Sequence, residues 1–102
     1  MENNIIGEKK FYVEKAVAEF NVWDNNVPCA KYKVKVYEKP NGKYVAYTNL
    51  QIKDSEGVPY CGVGHGNDID SALQDVILFF TNMYKERILK DEDFCYMDPM
   101  DF

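Results

Sequence analysis

The stretch "CGVGHGNDIDSAL" at residues 61–73 concentrates the residue types best able to do chemistry in this chain. Gly62, Gly64 and Gly66 alternate with Val63 and His65, and Asn67-Asp68 then opens a run with helical spacing. Glycines ahead of a helix N-terminus let a phosphate approach free backbone N–H groups. The spacing here is G-x-G-x-G followed by asparagine, which is neither G-x-x-x-x-G-K-[ST] nor the dinucleotide G-x-G-x-x-G. Asp68 and Asp70 suit the helix dipole but repel phosphate. The stretch therefore reads as a strand-to-helix turn with Asn67 as N-cap and Asp70 as the capping-box acid. A sugar or base edge could still meet His65 and Asn67. His65 could transfer a proton, but no nucleophile or carboxylate stands at a motif-defined spacing to it, so the expectation is a protein without enzymatic activity.

Two further sets of residues could hold a ligand. Arg87, the one arginine, falls at the angular position of Ile69 on the helical run. It either supports the helix C-terminus and pairs with Asp91 or Asp93, or reaches from a half-covered face to an anion with its planar fork. Lys31, Lys33 and Lys35 share one strand face, expected to lie beside Tyr47, Asn49 and Gln51 of the next strand. Such a row is a solvated face, or, interleaved with Tyr and amides, a holder of an anionic aromatic ligand.

The elements that must position these residues fit one domain over residues 1–102, since 46% apolar residues suffice for one modest core. Tyr32, Val34 and Val36 alternate with the lysines, and Tyr44, Ala46, Thr48, Leu50 and Ile52 share the next strand's face. Residues 16–23 read as a strand entering a hairpin at Asp24-Asn25-Asn26. "VPYCGV" reads as a short strand, at an edge or bulged because Pro59 lacks a donor. From residue 68 to about 89 the period becomes helical, with Ile69, Ala72, Leu73, Val76, Ile77, Phe80, Met83 and Tyr84 on one stripe. The predicted fold is α+β: an antiparallel β-meander of about four strands, one long C-terminal helix packed on it and a short aromatic tail. Leu78 lies opposite the stripe and Phe79 on its flank. Their cover would come from Phe94, Tyr96, Met97, Met100 and Phe102 of the tail, or from a neighbouring subunit in a homo-oligomer.

The remaining chemistry is mostly exclusion. No apolar run approaches the roughly 20 residues that span a bilayer. Residues 1–10 lack the basic start and apolar stretch of a signal peptide. Three cysteines without metal-like spacing suggest reduced thiols in a cytoplasmic protein, and a single histidine argues against zinc. No cofactor is called for. Residues 1–53 hold nine lysines against six acids, while residues 54–102 hold three basic residues against eleven acids. That imbalance disfavours gripping a nucleic-acid backbone. The β-β-β-α order is similar to double-stranded-RNA-binding domains, yet those begin this helix with basic residues where Asp68 and Asp70 stand here.

The order of features also resembles small phage proteins that counter the Thoeris defence. The resemblance rests on "FYVEKAVAEF", "CAKYKVKVYEKPNGKYVAYTNLQIKDSEG", "YCGVGHGN" with "SALQDVILFF", and the ending "DEDF" to "DPMDF", which together cover most of residues 11–102. It implies an oligomeric sponge that binds cyclic ADP-ribose isomers between protomers without cleaving them, and cyclic oligonucleotides at other sites. On that reading Arg87, with lysines such as Lys33 and Lys35, meets phosphate. Asn67 and His65 read a ribose or base edge, and Phe79 or Tyr84 stacks on a ring. The competing expectation is an acidic inhibitor of a nucleic-acid-binding immune effector, motivated by the acidic second half. A third is an accessory protein with no ligand.

Overall fold

The computed structural model describes residues 3–6 and 9–102, with side chains from residue 13 onward. The leader reading of residues 1–10 falls partly outside them. Strands β1 (Asn3–Ile6) and β2 (Lys9–Tyr12) form an antiparallel hairpin that is a sheet of its own. The main sheet is a meander of β3 (Lys15–Trp23), β4 (Lys31–Glu38), β5 (Tyr44–Lys53) and β6 (Pro59–Gly66). Helix α1 (Ile69–Tyr84) follows and packs on one face, and a short β7 (Phe94–Tyr96) then pairs with β5. The architecture is the expected α+β meander, helix and aromatic tail.

Alternation explains most of the sheet, with Val45, buried beside Ala46 but on the face away from the helix, as an exception. Tyr32, Val34 and Val36 of β4 and Ala46, Thr48, Leu50 and Ile52 of β5 are buried beneath the helix. The register pairs Lys35 with Tyr47, so lysines and tyrosine share the opposite, open face. Asparagine and aspartate set the turns by accepting bonds from N–H groups two residues on, and at Asp54 also four residues on. Asn41 serves Lys43, Asp54 serves Glu56 and Val58, and Asp24 serves Asn26.

Gly64 and Gly66, expected in the turn, prove to be strand like Gly62. β6 runs through Gly66, and Gly62, Gly64 and Gly66 all face α1. A Cβ on Gly62 would lie 2.9 Å from the Phe80 Cβ, one on Gly64 2.3 Å from the Val76 backbone N, and one on Gly66 2.5 Å from the Ala72 backbone N. Three glycines two apart thus meet three helix residues four apart. Two strand residues advance roughly 6.6 Å and four helix residues about 6.0 Å, so the two rows keep step. The bare strand face lets the helix backbone come close, and Phe80 becomes fully buried with its ring 4.9 Å from that of Tyr32.

Several boundaries differ from the expectation for local reasons. The N-cap is Asp68, whose Oδ1 accepts the Ser71 N–H at 2.7 Å, one residue later than Asn67. The helix ends at Tyr84, with Lys85 as C-cap, so Arg87 stands beyond it and not within an apolar stripe. The tail does not cover Leu78 and Phe79, which are 61% and 48% exposed. Its residues go elsewhere. The β4–β5 ladder runs from Val34↔Thr48 to Glu38↔Tyr44, and beyond it β7 pairs with Leu50–Ile52 of β5. The side-chain oxygen of Asn49 accepts the Lys33 N–H, and its main-chain oxygen accepts the Met97 N–H. Phe94 turns toward Tyr84, while the Tyr96 hydroxyl faces the main-chain oxygens of Pro28 and Lys31 at 2.5 and 2.8 Å. Those two residues bracket Cys29 and Ala30, both at positive φ (59° and 55°).

Gly64→Ala should lower stability by about 3 kcal/mol, because the new methyl meets helix backbone that cannot swing aside. Gly57→Ala, at φ 82° in an open turn, should lose about 1 kcal/mol. Urea unfolding of the two variants beside the parent checks the order; equal midpoints for Gly64→Ala and the parent would refute the close contact.

Candidate functional site

The residues singled out for chemistry fall at three places. At the C-terminal end of α1, Tyr84 donates its hydroxyl to Asp24 Oδ2, joining the helix to the β3–β4 connection. Asp24 Oδ1 accepts from both the backbone N–H and the side-chain amide of Asn26, each at 2.9 Å. Burial alone would raise the Asp24 carboxyl, but the bonds from Tyr84 and Asn26 outweigh it and hold it below the usual carboxylate value. Tyr84 is pushed up to about 12, first by burial and then by the Asp24 carboxylate. Tyr32 ends nearby with a buried hydroxyl that has no hydrogen-bond partner among the described residues, and its acidity is suppressed by burial and by Tyr84 and Asp24.

After Tyr84 the chain turns, with the Arg87 N–H donating to Tyr84 O at 3.0 Å. The Arg87 guanidinium donates to Lys53 O at 3.1 Å, and among the described residues it forms no ion pair with Asp91 or Asp93. Arg87, Lys85, Thr81, Tyr84, Asn26 and Phe94 then line a cavity of about 290 Å³, with Leu89 closing it. Two cations, two aromatic rings and two neutral polar side chains converge there. A guanidinium carries five N–H donors, so the bond to Lys53 aims Arg87 without exhausting it.

The N-terminal end of α1 is a different place. His65 and Asn67 border a shallower cavity of about 420 Å³ with Lys39, Asn41, Lys43 and Tyr44. Lys43 Nζ donates to Asn67 Oδ1 at 2.6 Å. The His65 backbone N–H, on the outer edge of β6, donates to Asp75 Oδ2 at 2.8 Å. Asp68 already accepts a helix N-terminal N–H, and its bonds from Ser71 lower its carboxyl. This helix start therefore supplies its own anion, and the cations of the cavity come from the β4–β5 turn.

The third place is the open face of the sheet. Lys33 and Lys35 lie 3.7 and 3.8 Å from the Glu19 carboxylate, and Lys31 stands 5.1 Å from the centre of the Trp23 ring. Lys35 also meets Phe102. Phe79 joins none of the three and is exposed on the outer side of α1.

The structure thus brings Arg87 to Tyr84, His65 to Asn67, and Lys33 to Lys35, but separates the first pair from the second by the length of a 16-residue helix, about 24 Å. Sequence reading did not find Asp24, Asn26, Lys85 and Phe94 at the first cavity, nor Lys39 and Lys43 at the second. The Asp24-Asn25-Asn26 signal was visible only as a turn, and nothing local ties it to Tyr84 sixty residues on. Among the described residues no group of three or more His, Cys, Asp or Glu is placed to hold a metal, and the three cysteines are free. No helix there is long and apolar enough to cross a membrane. No family model, curated protein or solved structure matches the chain.

Tyr84→Phe should cost about 1 kcal/mol at neutral pH and let the Asp24 carboxyl climb back toward 3.8. Because Asp24 is depressed in the folded chain, its contribution is present above the usual carboxylate range. It is lost as pH falls through the folded value, so parent and variant should converge in acid. Carboxyl NMR titration with unfolding at several pH values checks both; an unmoved Asp24 titration would remove the bond from the account.

Proposed function

We propose that this chain is a non-enzymatic cytoplasmic protein that sequesters a cyclic nucleotide-type signal, of which a cyclic ADP-ribose isomer is the leading candidate. The reading is that of a phage anti-defence protein. The observation that carries it is the cavity at the end of α1, where Arg87 and Lys85 lie beside the rings of Tyr84 and Phe94. A cation pair suits phosphate, an aromatic wall suits a base, and Asn26 and Thr81 suit ribose or base edges. The ligand class comes from the resemblance to the anti-Thoeris proteins, and sequestration asks only for pre-organised binding.

Size gives the reading its second element. Ligand pockets usually span roughly 300–1,000 Å³, so this cavity takes about one nucleotide unit. A two-nucleotide ring would be shared with a second copy. Leu78 is one turn before Thr81 and Asn82 and two before Lys85 on the same side of α1, so an interface built on exposed Leu78 and Phe79 abuts the cavity rim. Lys39, Lys43, His65 and Asn67 would form a separate, weaker anion site at the other end of the helix.

A second reading has its own support. Leu78 and Phe79 stand on the exposed half of a helix that also carries Asp70, and Asp75 with one oxygen on the His65 N–H. All lie within the acidic second half of the chain, which is how an acidic inhibitor would meet a basic protein. The two readings part on one experiment. Cyclic ADP-ribose titrated into the protein, followed by calorimetry and native mass spectrometry, should show a retained ligand and an oligomer. Arg87→Ala should bind at least tenfold more weakly while His65→Ala is unchanged, and Leu78→Glu should yield monomers that bind poorly. Equal affinity of Arg87→Ala and parent would overturn the assignment of this cavity. No retained ligand, with strongly salt-dependent capture of a basic protein, would favour the inhibitor.

A further inference from the structure

On the open face of the sheet two cavities, of about 200 and 190 Å³, share the side chains of Met97 and Phe102 as walls. One is otherwise bounded by Glu14, Tyr37, Tyr47, Cys61 and Asp101, the other by Glu19, Lys33, Lys35, Asn49 and Pro99. We infer that these are two halves of one trough that binds a planar aromatic ring bearing a carboxylate or phosphate, and that Phe102 occupies it as a built-in stand-in for that ligand.

The occupant's own contacts define the chemistry. The Lys35 ammonium stands 4.6 Å from the centre of the Phe102 ring and donates to the main-chain oxygen of the same residue. One cation thus reads a ring and an oxygen together, the two features of an aromatic anion. Tyr37 and Tyr47 meet edge to face, with ring centres 6.0 Å apart, and line the trough on the other side of Phe102. The Glu19 carboxylate near both lysines matches much of their charge, so a bare inorganic anion gains little there. The ring is required.

The stand-in is also built to leave. Its last sheet contact is the Met97 N–H to Asn49 O at 2.7 Å. Residues 98–101 then close a turn on themselves, with the Asp101 N–H bonded to Asp98 O and the Met100 N–H to Asp98 Oδ1. Asp98, Pro99, Met100 and Asp101 are all exposed. Lifting Phe102 together with the Pro99 and Asp101 walls therefore breaks the Lys35 contacts and leaves β7 paired. The trough is on the opposite side of the sheet from the Arg87 cavity, and the inference is independent of it.

The test uses the full chain with Phe102→Ala, titrated with N-acetyl-L-phenylalanine as probe and followed by NMR at Tyr37, Tyr47 and Lys35. The variant should bind the probe at least tenfold more tightly than the parent, because the competing ring is gone. Adding Lys35→Met should abolish that gain, and acetate or inorganic phosphate alone should not bind. Phe102→Leu, which keeps apolar packing but lacks the ring, gives the same comparison if the alanine variant unfolds. Equal affinity of parent and Phe102 variants, probe binding that survives Lys35→Met, or saturable phosphate binding at these residues would overturn the inference.

Discussion

The close approach of α1 to β6 is the constraint on which the remaining geometry depends. Most helices sit on a sheet through a layer of interlocking side chains. Here Gly62, Gly64 and Gly66 remove the sheet's half of that layer, and the helix backbone at Ala72 and Val76 settles almost against the strand. The helix is thereby committed to the β6 side. Its contacts fall mainly on β6 and β5, with few on β4. Tyr84, at its far end, is delivered to Asp24, and Lys85 and Arg87 are thrown past the sheet into the cavity they help to line. Shift the rail and the cavity disperses.

The same contact explains the outer surface of α1. With Ala72, Val76 and Phe80 fixed inward, Leu78 and Phe79 have no place in the core. They are exposed as a consequence of a specific packing, not of a weak amphipathic pattern. The two edges of the sheet are likewise unequal. β6 carries Pro59, and its His65 N–H is engaged by Asp75, so two edge-blunting devices are present. On β3, among the described residues, neither device appears, though a bulge interrupts its register between Ala16 and Ala18.

How much of this was legible in the sequence follows from what each feature depends on. β4 could be read because lysines and apolar residues alternate over adjacent positions, and the helix because its stripe recurs through Tyr84. The rail was missed because glycine signals turns far more often than strands, even though its period of two is a strand's period. The helix end was overrun because "KERILK" is rich in helix formers. The chain instead turns at Arg87, whose guanidinium reaches Lys53. The candidate sites were legible as residue types but not as groups. Tyr84 beside Asp24 and Lys35 beside Phe102 are joined across sixty or more residues, and no local pattern encodes a meeting of that kind. The N-terminal hairpin β1–β2 lay in a charged stretch with too little alternation to announce itself.

The insertion of β7 has a consequence for how the molecule comes into being. β5 is an inner strand, yet one flank of its second half is filled by residues 94–96, which are made some forty residues later. During synthesis the meander and helix emerge first, leaving Leu50–Ile52 with a row of unmet backbone groups on that side. Maturation is thus completed by a late, long-range closure, the kind that topology makes slow.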